Sequence, residues 1–285
     1  MAGCGTQKLP TTNPAPRPNV RVQHIYPTAR GTEAAGGPSP NGILWVLSGT
    51  SSIQALYPLL LTHGTVGTGI PVVGMARTVA LVPSGPLVLG LGIGKTGALE
   101  WINPSHPAST ITTTPLPGPV VDVVSGSSGR HLYVLWMVGS DEMCGVVSVQ
   151  HHSVKDEWPV TANTVSLSPG PNGSHVYTLT SSGQVTEWTI ATHTALSQFS
   201  IGHSGIGVVI DPSGTDLYVL KGQGVVRNIA VVSVATESVL RVIPAPAASR
   251  QLVMGLDGRE LYVVVGTKTY GNVQTIAGFA GGTSG

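Results

Sequence analysis

Arg77 and Arg250 are the side chains of this sequence best suited to hold an anion. Each stands just before a short apolar stretch, 79–81 after the first and 252–254 after the second. A guanidinium group can pair bidentately with a carboxylate or a phosphate. Two of them at equivalent places in a fold could hold an anion; solvated arginines paired to local acids are the favoured interpretation, and the anion site is the alternative.

Other polar residues stand at or near the start of comparable apolar stretches and could bind a ligand through charge or hydrogen bonds. With the two arginines they make up the predicted ligand-binding residues: Arg77, Asp122, Asn163, His203, Ser204 and Arg250. No catalytic residue is predicted. The sequence has no Gly-x-Ser-x-Gly nucleophile motif, and Asp122 is the single acid among the apolar stretches.

The histidines and a glycine-rich segment suggest two further chemistries, and spacing disfavours both. His63, His106 and His151 recur at nearly regular intervals, which would distribute them around a repetitive fold. Zinc needs its ligands within about 2.1 Å of one ion. The segment 90–96 resembles a phosphate loop, but Leu89 stands where that loop requires glycine. We therefore predict no metal, no nucleotide and no other cofactor.

A turn followed by an apolar strand recurs along the chain and must position these side chains. The clearest copy is 211–220, Asp-Pro-Ser-Gly-Thr-Asp-Leu-Tyr-Val-Leu, in which proline and glycine favour the turn and the apolar residues favour the strand. The anchor residues of successive copies are Trp45, Val88, Tyr133, Tyr177, Tyr218 and Tyr262. Their spacing of about 40 to 45 residues is typical of four-stranded β-propeller blades.

Six anchors predict an all-β fold, a β-propeller of six blades with four strands each, and seven blades are the alternative. The last copy has only three strands of its own, so 19–26 is predicted to supply its fourth strand and to close the ring. The predicted organisation is a disordered proline-rich tether at 1–18, one propeller domain at 19–280 and a disordered tail at 281–285. The anchor aromatics are predicted to pack between blades.

The repeat resembles that of the YVTN or lactonase-like propeller family, in which a Ser-Pro-Asp-Gly turn precedes Leu-Tyr-Val. The resemblance extends over about 36–276 and is closest at 211–214 and 256–258, whereas Trp45 and Val88 depart from the tyrosine. Propellers with this repeat include enzymes and binding scaffolds. The resemblance thus implies, as an alternative function, a lactonase-like enzyme acting on a sugar-derived or cell-wall substrate at the channel mouth, through Arg77, Arg250, His203 and Asp122.

Composition and charge argue against several classes of partner. Only 9% of the residues are charged and the formal net charge is +1, so no basic cluster favours nucleic acid. The longest apolar run, near 56–61, is far shorter than the ~20 residues of a membrane-spanning helix. Of the two cysteines, Cys144 is predicted to be a free thiol in or near a strand pair at 137–149.

The segment Met1-Ala2-Gly3-Cys4 resembles the end of a bacterial lipobox, whose cysteine carries a lipid. The resemblance predicts lipid attachment at Cys4, an extracytoplasmic place in the cell envelope, and membrane association only through that lipid; an ordinary N-terminus is the alternative. Without a metal cage, a nucleophile or an acid pair, we predict a non-enzymatic scaffold that binds a small ligand or an envelope protein.

Overall fold

Every regular element in the described part of the computed structural model is a β-strand. The structure describes residues 21–29, 31–50, 53–72, 74–83, 85–106, 110–267 and 270–277. Those ranges contain no helix with the length and apolar character needed to cross a bilayer. Cys4, the tether at 1–18 and the tail at 281–285 lie outside the described residues, so the predictions about them stay predictions.

The strands form six antiparallel sheets, and each sheet is one blade. Blade 1 contains β2 (Thr32–Gly36), β3 (Ile43–Gly49), β4 (Gln54–Leu60), β5 (Thr65–Val66) and β6 (Ile70–Val72). Blade 2 contains β7 (Ala76–Leu81), β8 (Leu87–Ile93), β9 (Thr96–Ile102) and β10 (Thr110–Leu116). Blade 3 contains β11 (Val120–Ser125), β12 (His131–Val138), β13 (Asp141–Ser148) and β14 (Ser153–Pro159).

The remaining blades follow the same plan, with the first strand innermost. Blade 4 contains β15 (Thr164–Pro169), β16 (His175–Thr180), β17 (Gln184–Thr189) and β18 (Thr194–Ser200). Blade 5 contains β19 (Gly205–Ile210), β20 (Asp216–Gln223), β21 (Val226–Ser233) and β22 (Ser238–Ala245). Blade 6 contains β23 (Ser249–Met254), β24 (Glu260–Gly266), β25 (Gly271–Ala277) and, as its outermost strand, β1 (Arg21–Thr28).

The predicted six-bladed propeller is confirmed, and the described residues hold no seventh blade. The first described strand closes the ring, because β1 pairs with β25 from Arg21 opposite Ala277 to Thr28 opposite Gly271. A strand from the start of the chain thereby completes the last blade. This pairing covers the edge that β25 would otherwise expose.

Two faces follow from this topology. Each innermost strand begins at the face that carries the connections between blades and the hairpins joining second to third strands, called here the upper face. It ends at the lower face, which carries the turns joining first to second and third to fourth strands. The central channel lies between the six innermost strands.

The core consists of six apolar clusters, one at each contact between neighbouring blades. Trp101 of blade 2 packs with Trp136 of blade 3, and both are fully buried. The cluster with Tyr26, Leu44 and Val264 joins blade 6 to blade 1 and closes the ring. All six anchor residues lie in these clusters, which confirms that the repeated aromatics are packing residues.

The recurring turn is stabilised by its own side chains. Asp211 Oδ1 accepts hydrogen bonds from the backbone N–H groups of Thr215 at 2.8 Å and Asp216 at 3.1 Å. Gly214, at φ 76°, occupies the left-handed region that glycine tolerates best. Gly258 repeats this geometry at φ 71° in the next blade. The turn therefore fixes where each innermost strand ends.

The outer ends of the first two blades differ from the sequence-based expectations. The first two blades were expected to end near His63 and His106, but the structure continues them through β5 and β6 in blade 1 and through β10 in blade 2. Gly67, Gly69 and Pro71 interrupt the apolar pattern at the outer edge of blade 1. The sequence pattern therefore does not predict β5 and β6. His151 and His152 lie in the turn between β13 and β14. The expected free thiol at Cys144 is confirmed, and it is buried on β13.

Candidate functional site

The six innermost strands carry the same irregularity at their upper ends. A β-bulge interrupts the register at the second residue of each strand. The residue after the bulge occupies one equivalent level around the channel. We call this set the hub ring; it consists of Ala34, Thr78, Asp122, Ser166, Gly207 and Gln251.

Side chains of the hub ring satisfy the backbone of the next blade. An innermost strand is the edge of its sheet, so its N–H groups on the channel side need other acceptors. Gln251 Oε1 accepts from the Ala35 N–H at 2.7 Å, and Ser166 Oγ accepts from the Val208 N–H at 3.2 Å. The ring thus joins neighbouring blades by polar contacts inside the apolar clusters.

Asp122 makes the largest number of these contacts. Its Oδ2 accepts from the Leu167 N–H at 3.1 Å and from Ser166 Oγ at 3.0 Å, while Oδ1 accepts from Thr78 Oγ1 at 3.4 Å. Because Ser166 Oγ also accepts from Val208, the bonds run in one direction from blade 5 through blade 4 to blade 3. Burial raises the pKa of Asp122 above its ordinary value, and the hydrogen bonds from Leu167, Ser166 and Thr78 oppose that shift.

A cavity of about 440 Å³ occupies the lower half of the channel. Asp122, Ser166 and Gln251 of the hub ring contribute to its lining at the upper end, and the ends of the innermost strands form its walls. Most wall side chains are apolar. Prolines of four blades stand at or near its mouth, and their fixed φ limits how far the turns can rearrange. These are Pro38, Pro83, Pro169, Pro171 and Pro212.

The charge of the cavity has one sign. Among the described residues that line it, the ionisable side chains are Asp122 and Asp211, and both are acids. Asp211 stands at the mouth, where its carboxylate holds the turn described above. Serines 125, 127, 166 and 168 add hydroxyl groups around the wall. A neutral or cationic molecule with an apolar body is therefore complementary to this space, whereas an anion is repelled.

The structure places the two predicted arginines at the opposite end of the channel. Arg77 and Arg250 are the bulge residues of β7 and β23, are exposed, and lie on blades that flank blade 1. Between them, at the bulge of β2, stands Glu33. Burial raises the pKa of the Glu33 carboxyl. Three interactions oppose that shift, in decreasing order: the charge of Arg250, a hydrogen bond from Gln54, and the charge of Arg77. The protein thus supplies its own anion beside both guanidinium groups.

The other three predicted residues also lie on the upper side. Asn163 precedes β15 with φ 63°, and its N–H donates to Glu142 Oε1 at 3.0 Å. His203 is exposed, and Ser204 beside it has φ 64°. Of the six predicted residues, Asp122 alone lines the cavity. The predicted anion site at the upper mouth stays a prediction.

Sequence reasoning missed Ser166, Gln251 and Glu33. A usable signal exists for each, because they occupy repeat positions equivalent to residues that were selected. Ser166 and Gln251 align with Asp122, and Glu33 aligns with Arg77. Aligning every polar residue of the innermost strands by bulge position would have found the hub ring.

The histidines of the outer turns form contacts between blades. The His193 ring stacks on Trp158 with centroids 4.7 Å apart, and its Nε2 lies 2.8 Å from Asp156 Oδ2. His152 packs against Trp101 of blade 2 at 4.5 Å. Across the described ranges, no three His, Cys, Asp or Glu side chains gather into a group that could hold a metal. These histidines serve packing in the structure.

Gly207 leaves a place in the hub ring unused, which gives a prediction. A Cβ at this position would lie 4.0 Å from the Leu252 nitrogen, its only neighbour within that distance. Gly207→Ser should place Oγ to accept from the Leu252 N–H, as Ser166 does from Val208, and should stabilise the fold by about 1 kcal/mol. Chemical denaturation of this variant beside Gly207→Ala tests it. If both variants are equally stable, the added hydroxyl forms no such bond.

Comparison with known proteins supports the fold. No protein-family model matches the chain, and no curated protein matches it. Among solved structures, hydrazine synthase of Kuenenia stuttgartiensis is similar, with a TM-score of 0.64 over 82% of this chain and 73% of that chain at 14% sequence identity. At this identity the likeness concerns architecture alone. The chain is a six-bladed β-propeller.

Proposed function

We propose that this protein binds a small, mainly apolar ligand in the lower half of its central channel. The observation that carries the proposal is the cavity of about 440 Å³. Ligand sites generally enclose about 300–1,000 Å³, with mostly apolar walls and a few polar groups that fix orientation. Rigid proline turns around the mouth favour a site that exists before the ligand arrives.

The charge of the lining suggests the class of ligand. Asp122 and Asp211 are the ionisable residues of the described lining, so an ammonium group gains attraction there and a carboxylate meets repulsion. An ammonium near Asp122 would also offset the burial that disfavours its ionised form. We therefore propose an alkyl or aryl amine, or a neutral molecule with a hydrogen-bond donor.

A binding role without catalysis is part of the proposal. The Asp122 carboxylate accepts from Leu167, Ser166 and Thr78, and the Asp211 carboxylate accepts from its own turn. Using either group for proton transfer would break bonds on which the fold depends. The lactonase-like alternative would need Arg77, Arg250 and His203 to act together with Asp122. Those three residues lie on the upper side, whereas Asp122 lines the cavity in the lower half of the channel.

The cellular context is proposed from the sequence alone. An extracytoplasmic place in a bacterial envelope, with a lipid at Cys4, rests on the lipobox resemblance, and kinship with YVTN propellers rests on the repeat. An envelope protein is the second partner proposed from the sequence. Neither proposal is needed for the ligand site. If either proposal about the cellular context were wrong, the cavity and its charge would be unchanged.

Titration calorimetry with an amine, an alcohol and a carboxylate of equal carbon skeleton tests the proposal. The amine should bind at least ~10-fold more tightly than the carboxylate, a difference of about 1.4 kcal/mol. Val209→Phe should weaken amine binding by ~10-fold or more, because Val209 lines the cavity. Val239→Phe, on the outer strand β22, is the matched control and should bind as the wild type does. Equal affinity in the two variants would contradict the assignment.

A further inference from the structure

The upper face of the ring presents separate apolar side chains at the ends of its hairpins and connections. Val225 and Ile53 are 79% and 78% exposed, and Val226 is 63% exposed. The other members stand on blades 2, 3 and 6, so the set extends around most of the rim. We call this set the apolar tips; it consists of Ile53, Met75, Val138, Val225, Val226 and Tyr270.

Basic side chains stand among the apolar tips. They are Arg77, Lys95, Lys221, Arg227 and Arg250. Three of them donate to backbone carbonyls, Lys221 to Ile201, Arg227 to Gly222 and Arg250 to Gly266. A carbonyl carries no net charge, so these bonds leave the positive charge in place.

Acids of the upper face offset part of this charge. Glu33 stands between Arg77 and Arg250, Asp141 is exposed, and Glu142 is buried against Asn163. The described lower face has the opposite balance. Its turns and the adjoining strand ends carry five acids, Asp211, Asp216, Glu237, Asp257 and Glu260, and four basic residues, Arg130, Lys155, Arg241 and Arg259. The ring therefore has a basic face with apolar tips and a weakly acidic face with the cavity mouth.

We propose that the upper face docks on a bilayer surface that contains anionic lipids. Apolar side chains at separate, projecting points can enter the headgroup region one by one, and neighbouring Lys and Arg side chains attract anionic headgroups. A protein partner would be better served by one contiguous apolar patch. In this orientation the acidic lower face points away from the bilayer, and the cavity stays open to solvent.

Vesicle flotation tests this inference, with the full chain carrying Cys4→Ser so that no lipid can be attached there. The protein should float with phosphatidylcholine vesicles that contain about 30% phosphatidylglycerol and should bind pure phosphatidylcholine at least ~5-fold less. Raising salt from about 0.1 M to about 0.5 M should reduce binding several-fold, because Arg77, Lys95 and Arg250 are exposed.

Two triple variants distinguish the tips from general surface hydrophobicity. Ile53→Ser with Val225→Ser and Val226→Ser should lower the floated fraction ~5-fold or more. Ile25→Ser with Leu196→Ser and Val242→Ser removes side chains that are 58%, 56% and 53% exposed on outer strands, and should leave flotation unchanged. Circular dichroism checks that both variants fold. Equal loss in both, or no preference for anionic vesicles, overturns the proposal. Self-association that only the first variant abolishes would instead identify a protein contact and also overturn it.

Discussion

Removing residues 1–28 is expected to abolish the single cooperative unfolding transition of this protein. The deletion takes away β1, exposes the edge of β25 and opens the cluster that joins blade 6 to blade 1. A ring whose first and last blades separate loses one of its six apolar contacts and gains an unpaired strand edge. Removing only the predicted tether, 1–18, should keep the melting temperature within about 2 °C of the full chain.

A single substitution isolates the same contact. Tyr26 is 9% exposed, packs in that cluster, and donates to the Leu61 carbonyl at 3.4 Å. Tyr26→Ala should lower the free energy of unfolding by about 3 kcal/mol, because a large buried side chain is lost. Ile25→Ala, on the same strand but 58% exposed, is the control and should cost less than about 0.5 kcal/mol. Urea denaturation of both variants measures the difference. Similar values for the two would show that β1 does not hold the ring closed.

Asp122→Ala is expected to destabilise the protein by about 3 kcal/mol. The substitution deprives the Leu167 N–H and two hydroxyl groups of their acceptor inside the hub, and each unsatisfied buried donor costs about 1–3 kcal/mol. Loss of the buried charge offsets part of this cost. Asp122→Asn keeps an oxygen that can accept from Leu167, so it should stay within about 1 kcal/mol of the wild type near neutral pH. Denaturation midpoints that rank asparagine no better than alanine would contradict the hub ring.

Comparison of the wild type with Asp122→Asn predicts a pH dependence of the free energy of unfolding with a definite sign. In the folded protein the pKa of Asp122 is raised above its ordinary value of 3.8, so the folded state binds more protons than the unfolded state above that pH. The wild type should therefore lose stability relative to Asp122→Asn as the pH rises from about 4 through the raised pKa. The difference between their free energies of unfolding, measured at several pH values, reports this effect. A difference that is constant with pH would show that Asp122 titrates alike in both states.

The architecture was accessible from the sequence because its signal is local. Turn residues such as Asp211 and Gly214 and the strand that follows them repeat six times, and each copy specifies the end of an innermost strand. The closing strand was predictable because blade 6 lacks a strand that the chain must supply. The outer edge of blade 1 was not, since Gly67 and Gly69 interrupt its alternation. Those glycines admit the Pro58 and Tyr57 side chains, a contact that the pattern does not encode.

The site was less accessible because it depends on contacts between blades. Asp122 was found as an isolated acid, but its bonds to Ser166 and Leu167 cross from one blade to the next. The residues of each strand can be identified from the sequence. The sequence does not show which half of the channel is wide enough to form a cavity. That depends on how closely neighbouring strands approach, as where Gly36 meets the backbone of Val79. The prediction accordingly selected the upper mouth, whereas the cavity lies below the hub ring.

A crystal structure of the protein grown with a bound primary amine would test the ligand site most directly. The account predicts density in the lower half of the channel, with the apolar part beside Val124 and Val209 and the nitrogen directed toward Asp122 or Asp211. Density at the upper mouth beside Arg77 and Arg250, with the lower cavity unchanged, would contradict it.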